Sequence, residues 1–154
     1  MKNIKILLAT AIIAAFTLTS CSKDDNNSGP VTNGSITAKW NQTKTIITTN
    51  GVNQTINYDG NEAGCSKDYI EFTANNKLND VVYFKNAEEI CTENAATQSS
   101  YSKSGNTLTV IGGDYEGTYT ITTLSGSELI VKSVETQSGI QFTTNTYFTK
   151  AAAN

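Results

Sequence analysis

Three cysteines, Cys21, Cys65 and Cys91, supply the thiols of a chain that also has 14 carboxylates, 11 lysines, seven tyrosines and one tryptophan, Trp40. Histidine and arginine are both absent. Without histidine there is no general base tuned to neutral pH, no imidazole ligand for a metal, and no Ser/His/Asp or Cys/His nucleophile. Without arginine there is no planar fork to grip a phosphate or carboxylate in two places. The reading is therefore of a protein that is not an enzyme, with no catalytic residue, no metal and no cofactor. The formal charge of −3 also lacks the basic face that a nucleic-acid partner requires.

Two carboxylate patterns come closest to a site. Asn57, Asp59, Asn61 and Asp68 fall at the first, third, fifth and twelfth positions of a calcium-loop frame. Glu62 stands where that frame needs its turn glycine, and Asp68 where it needs a bidentate glutamate. Glu88-Glu89 and the pair Asp114 and Glu116 could serve as acid and base only across strands, because adjacent strand residues face opposite ways. Trp40 is read as a core plug in preference to a pocket wall, and the tyrosines as straddling core and water in preference to a glycan-stacking platform. Asn41-Gln42-Thr43 and Asn53-Gln54-Thr55 match a glycosylation pattern and are read as polar strand or turn residues.

The N-terminus carries the most specific signal. Lys2 and Lys5 precede an apolar run from Ile6 to Phe16 that ends at Leu18-Thr19-Ser20-Cys21. A charged start, an apolar middle too short to span a bilayer and a small-residue exit read as a secretory signal. Leu-Thr-Ser-Cys resembles the lipobox of bacterial lipoproteins. That resemblance implies cleavage before Cys21 and acyl chains on it, palmitate among the candidates, leaving nine lysines against 14 acids and a charge of −5. The residues Cys21-Ser22-Lys23-Asp24-Asp25 resemble the export signal that sends Bacteroidetes lipoproteins to the outer face of the outer membrane. The alternatives are a plain solvated spacer and a periplasm-facing anchor. Once Cys21 is lipidated, Cys65 and Cys91 remain as an even pair in an oxidising compartment, so a disulfide is expected, stapling the two outer ends of the hairpin that contains Asp68 to Lys85. A two-cysteine metal site lacks its other ligands.

These residues must be held by short strands. After a polar tether (21–35), apolar alternation separated by Gly, Asn and Ser predicts strands at 36–49, 54–58, 68–74, 78–85, 99–103, 107–111, 117–123, 128–134 and 140–149. Asn75-Asn76, Ser104-Gly105-Asn106 and Ser125-Gly126-Ser127 predict hairpin turns. The period-2 pattern turns Ile70 and Phe72, Leu108 and Val110, Tyr119 and Ile121, and Ile140, Phe142 and Phe148 inward. Ile46-Ile47 and Leu129-Ile130-Val131 are apolar on both faces, so each sits between layers or exposes a patch. The fold class is all-β: an antiparallel up-and-down meander closing as a small barrel, with a β-sandwich as the alternative.

Several elements together resemble the lipocalin-like lipoprotein domains common in Bacteroidetes. They are Trp40 on an early strand, Cys65-x-Lys67-Asp68 leading to Phe72, the Asn-Asn hairpin, Cys91, Tyr101, Gly105-Asn106-Thr107-Leu108, and Tyr119-Thr120-Ile121 running through Leu124 to Leu129-Ile130-Val131. Where lipocalins carry Gly-x-Trp, this chain has Ala38-Lys39-Trp40. The similarity spans about 36–150, with 1–20 as signal peptide and 151–154 as tail. It implies a barrel that binds a small hydrophobic molecule, with Trp40, Phe72, Tyr119 and Phe142 as candidate contacts. The alternative is an interaction module recognising a protein or glycan through exposed strands and loops. A cavity of a few hundred cubic ångströms would favour the first, and a filled interior the second.

Overall fold

A computed structural model describes residues 31–32, 34–94 and 97–152. Twelve strands lie along it: β1 (Val31–Thr32), β2 (Lys39–Thr49), β3 (Val52–Asn57), β4 (Tyr69–Phe72), β5 (Lys77–Val81), β6 (Tyr83–Lys85), β7 (Cys91–Glu93), β8 (Thr97–Ser104), β9 (Thr107–Ile111), β10 (Gly117–Leu124), β11 (Glu128–Gln137) and β12 (Ile140–Lys150). Eight of them, in the order β2-β4-β5-β8-β9-β10-β11-β12, pair antiparallel with their neighbours. β12 returns to β2 and closes the ring. Closure removes sheet edges, and it selects the barrel over the sandwich.

Local chemistry explains the turns. Asn50 and Gly51 (φ 51° and 77°) join β2 to β3, and Ser138 and Gly139 (φ 51° and 78°) join β11 to β12. Two positive φ values in a two-residue connection match the twist of the flanking strands. The Asn75-Asn76, Ser104-Gly105-Asn106 and Ser125-Gly126-Ser127 turns connect β4–β5, β8–β9 and β10–β11 as predicted. In the last, Ser125 Oγ accepts the Glu128 N–H at 3.0 Å.

The core is the inward row of each ring strand. Trp40, Leu78, Ile121, Leu124 and Leu129 are fully enclosed, with Ile70, Phe72, Leu108, Val110 and Phe148 around them. At the base, residues 34–38 run from the end of β10, where Gly34 N–H donates to Leu124 O, to the start of β2, where Ala38 O accepts from Phe72 N–H. Ile36 is thereby buried, and its carbonyl accepts the Trp40 indole N–H at 2.8 Å. Ala38 packs against the core, so the missing glycine of Gly-x-Trp does not keep the tryptophan from seating in the floor.

Several boundaries differ from the sequence reading. The stretch 78–85 breaks at Val82, and β6 leaves the barrel to pair with β7, a strand the alternation did not predict. Val31–Thr32, inside the stretch read as tether, pairs in parallel with Thr123–Leu124, where β9 no longer covers β10. The Cys65–Cys91 disulfide forms, with Cα atoms 5.5 Å apart. It joins the loop before β4 to the β6–β7 ribbon; it does not close the outer ends of one hairpin.

Beyond the open end of the barrel the chain builds a flap. β4 covers β2 only at Lys39–Trp40, and β3 takes over from Lys44 to Thr49. β10 covers β11 only as far as Lys132. The far halves of β11, β12 and β2, with β3, therefore stand as a four-stranded sheet above the rim. Phe148 is buried whereas Phe142 is half-buried and Ile140 is 42% exposed. All three share one face as predicted, but only Phe148 lies inside the ring. Ile46 and Ile47 also fall on the flap, one on each face and both half-buried.

Candidate functional site

The open end of the barrel gathers the side chains capable of recognition. Asp68, on the residue before β4, is 4% exposed. Its Oδ2 accepts the Tyr58 hydroxyl at 2.7 Å, its Oδ1 accepts the Tyr83 N–H at 2.8 Å, and its own N–H donates to Asn61 Oδ1. A buried carboxylate is tolerated where hydrogen bonds replace water, as these do. Asp68 thus anchors the 58–68 loop and the β6–β7 ribbon to the rim. The Asn57, Asp59, Asn61, Asp68 frame is put to this use: Asn61 and Asp68 bond each other. Among the described residues no group of three or more His, Cys, Asp or Glu side chains is arranged to hold a metal.

Asp80 follows Leu78 by two on β5 and so shares its inward face. Burial, then the charges of Asp114 and Asp68, push its carboxyl up to about 6. Tyr115, on the β9–β10 turn, hangs across the same opening, its hydroxyl 3.5 Å from Gln42 Oε1. Burial raises the Tyr115 phenol well above its ordinary range, and Tyr58 is raised by burial and its bond to Asp68. Trp40, Gln42, Tyr58, Asp68, Asp80 and Tyr115 enclose a polar void of about 10 Å³, the size of a single water.

A second, apolar cavity of about 60 Å³ lies among Phe72, Leu78, Leu108, Val110, Tyr119, Leu129, Val131 and Phe148. Ile70, Tyr115 and Phe148 line both spaces. The Tyr119 hydroxyl donates to Tyr115 O at 3.0 Å, which ties the turn to the wall. On the opposite side the cavity reaches Val131 and Thr146, the last inward positions before the flap. Continuing the register outward, Ile47, Val52, Ile56, Phe142 and Ile140 occupy the same face. A bulge at Thr43 keeps Gln42 and Thr45 both pointing inward, so the face is unbroken across the rim.

The candidate contacts named from sequence are thus dispersed. Phe72 and Tyr119 line the apolar cavity, Trp40 lines the polar void from the floor, and Phe142 lies on the flap. Phe72 also meets Tyr101 edge-on, with centroids 4.9 Å apart. The tyrosines share no common exposed face: Tyr101 is buried, Tyr115 and Tyr119 face inward, and Tyr147 stacks outside under Lys44. Glu89 pairs with Lys85 at 3.6 Å on the β6–β7 ribbon. Asp114 and Glu116 are exposed on the β9–β10 turn. Asp80 was missed from sequence although the Leu78–Asp80 spacing carries its inward direction, and the cavity is far below the few hundred cubic ångströms that a spacious calyx would show. Cys21 and the residues Ser22, Lys23, Asp24 and Asp25 lie outside the described residues.

A closed eight-stranded antiparallel meander with its polar groups collected at one open mouth is the architecture of a small-ligand-binding barrel. Residues 36–131 match the family described as lipocalin-like domain, and the chain belongs to that family. Its members are typically non-enzymatic binding proteins, and the barrel points to a small-molecule binder. The match ends at Val131, so the closing strand β12 and the outer half of β11 lie beyond it. No curated protein matches the chain.

Proposed function

We propose that this is a non-catalytic lipoprotein, anchored in the outer membrane through acyl chains on Cys21 and exported to the cell surface by Ser22-Lys23-Asp24-Asp25, whose barrel binds a small hydrophobic molecule. The observation that carries the ligand reading is the 60 Å³ apolar cavity, which reaches the rim at Val131 and Thr146, beyond which Ile47 and Phe142 stand on the same face of the flap among Thr144, Ser133 and Glu135. The ligand places a narrow apolar end in the cavity and lays the remainder along the flap, because a whole ligand-sized body needs several times that volume. Titration with a fluorescent fatty acid tests this. Phe142→Asp, on the flap's inner face, should weaken binding at least about ten-fold, the worth of one buried apolar contact. Val134→Asp, on the outer face, should leave it unchanged. Equal affinity in both variants, or no binding by the wild type, overturns the reading.

The anchor has its own test. Several acyl chains hold a protein durably where one holds it marginally. Cys21→Ser should therefore appear in soluble fractions, and retention in the membrane with unchanged processing refutes the anchor. Protease treatment of intact cells separates surface display from a periplasmic orientation. The modest cavity supports a second reading, an interaction module that uses the flap and loops to recognise a protein or glycan. Absence of any co-purifying lipid in mass spectra of natively isolated protein, with retained binding to envelope components, would favour it.

A further inference from the structure

β3 pairs with β2 along one edge and with nothing along the other among the described residues. Across the two-residue turn at Asn50-Gly51, Val52 and Thr49 face each other as a hydrogen-bonded pair, so Val52, Gln54 and Ile56 spend their backbone groups on β2. Tyr58 N–H donating to Thr43 O at 2.9 Å keeps the same parity. Asn53, Thr55 and Asn57 consequently turn their N–H and C=O groups outward.

Free edges are normally blunted by a charge, a proline or a bulge. The β3 sequence Val-Asn-Gln-Thr-Ile-Asn has no charged residue and no proline, and its ladder with β2 is regular. All six side chains are exposed, Val52 to 69%. The uncovered edge of β11 on the far side of the flap, by contrast, carries Glu135 beyond Lys132. β3 is thus the unprotected edge of this sheet.

The outward-bonding residues read Asn-Thr-Asn in both directions, which selects the partner. We propose that β3 is a self-pairing edge: two copies of the chain join antiparallel across a two-fold axis at Thr55, with Asn53 of each opposite Asn57 of the other. The pairing adds about six backbone hydrogen bonds, two for each facing pair. It sets threonine against threonine and asparagine against asparagine, with no like charges opposed. On the other face Ile56 of each copy comes opposite Gln54 of the other. The two flaps become one continuous sheet and the interface is isologous. The net negative charge of the two chains opposes association over long range, so added salt should strengthen the dimer.

The test uses the chain carrying Cys21→Ser, which needs no detergent, in sedimentation equilibrium from about 10 μM to about 1 mM, a range spanning weak association. The wild-type surface should dimerise with concentration and more tightly at higher salt. Thr55→Pro removes the central outward N–H, and Thr55→Lys sets two ammonium groups on the axis. Each should weaken association about ten-fold or more, the worth of a lost hydrogen-bond pair or an opposed charge. Val134→Lys should not. Trp40 fluorescence and the melting temperature verify that each variant is folded. In a mixed-labelled sample, an intermolecular Hα–Hα contact between Gln54 and Ile56 reports the register directly. A monomer at every concentration, a dimer indifferent to both Thr55 variants, or a monomer that captures only unrelated extended peptides along β3 would each overturn the proposal.

Discussion

Replacing both Cys65 and Cys91 by serine should cost this protein about 3.5 kcal/mol without changing its fold. The bridge spans 26 positions, and the chain-entropy relation for a loop of that length gives about 3.5 kcal/mol at 25 °C. The native structure already holds both ends by other means. Tyr83 N–H bonds Asp68 Oδ1, and Asn94 N–H bonds Val82 O, so the β6–β7 ribbon stays docked when the sulfurs are gone. Cys91 is exposed and Cys65 half-buried, so serine hydroxyls remain in reach of water. The effect therefore falls on the unfolded chain, which becomes freer. Urea denaturation followed by Trp40 fluorescence should show a lower midpoint and a slightly larger slope, because the uncrosslinked unfolded chain exposes more surface. The melting temperature should fall by about 10–15 °C for a domain of this size. A loss below about 1 kcal/mol would refute the loop-entropy reasoning. Native-state spectra that collapse in the variant would refute the independent docking of the ribbon.

Asp80 gives a pH dependence of definite sign. Its carboxyl titrates near 3.8 when unfolded and at about 6 in the barrel, so the folded state holds the proton to higher pH. The group favours folding most below about pH 4, and stability falls as pH rises through about 6. Allowing for its partial exposure to solvent, the change is about 1–2 kcal/mol. Asp80→Asn should remove that decline, being more stable than wild type at pH 7.5 and equal to it at pH 4 in urea melts. Trp40→Phe leaves the buried Ile36 carbonyl without its 2.8 Å donor and opens space in the floor, and should lose about 2–4 kcal/mol in urea melts followed by far-UV circular dichroism. Gly113→Ala drives a methyl into Ser99 Oγ at φ +73°, whereas Gly51→Ala meets open space at φ +77°. Both variants strain the backbone by about 1 kcal/mol, but Gly113→Ala should lose clearly more, and should also loosen the turn that carries Tyr115. Equal losses would show that the contact with Ser99 contributes nothing.

The barrel was legible because each of its strands is buried on one face. Ile70 and Phe72, Leu108 and Val110, and Tyr119 and Ile121 alternate with polar residues, and period-2 parity assigns their direction without any tertiary information. The turns at Asn75-Asn76 and Ser104-Gly105-Asn106 were legible for a similar local reason, since few residue types accept the backbone they need. Cys65 and Cys91 were legible as a pair because reading Cys21 as lipidated leaves them as an even two. Alternation says which way a side chain points, but not how far along a strand the neighbouring strand continues. Ile140, Phe142 and Phe148 have the same parity, yet Phe148 is core and Ile140 is exposed, because β10 and β4 stop and leave the outer halves of β11, β12 and β2 standing clear. Where β10 and β4 stop is a property of strand pairing and shear around the ring. That same pairing brought Asp80, Asp68, Tyr58 and Tyr115 from separate parts of the chain to one mouth, held the apolar cavity to 60 Å³, and left β3 with β2 as its one partner among the described residues. The local pattern determined the barrel strands, their faces and the lack of histidine; only closure of the ring decided which faces would be enclosed and which left exposed.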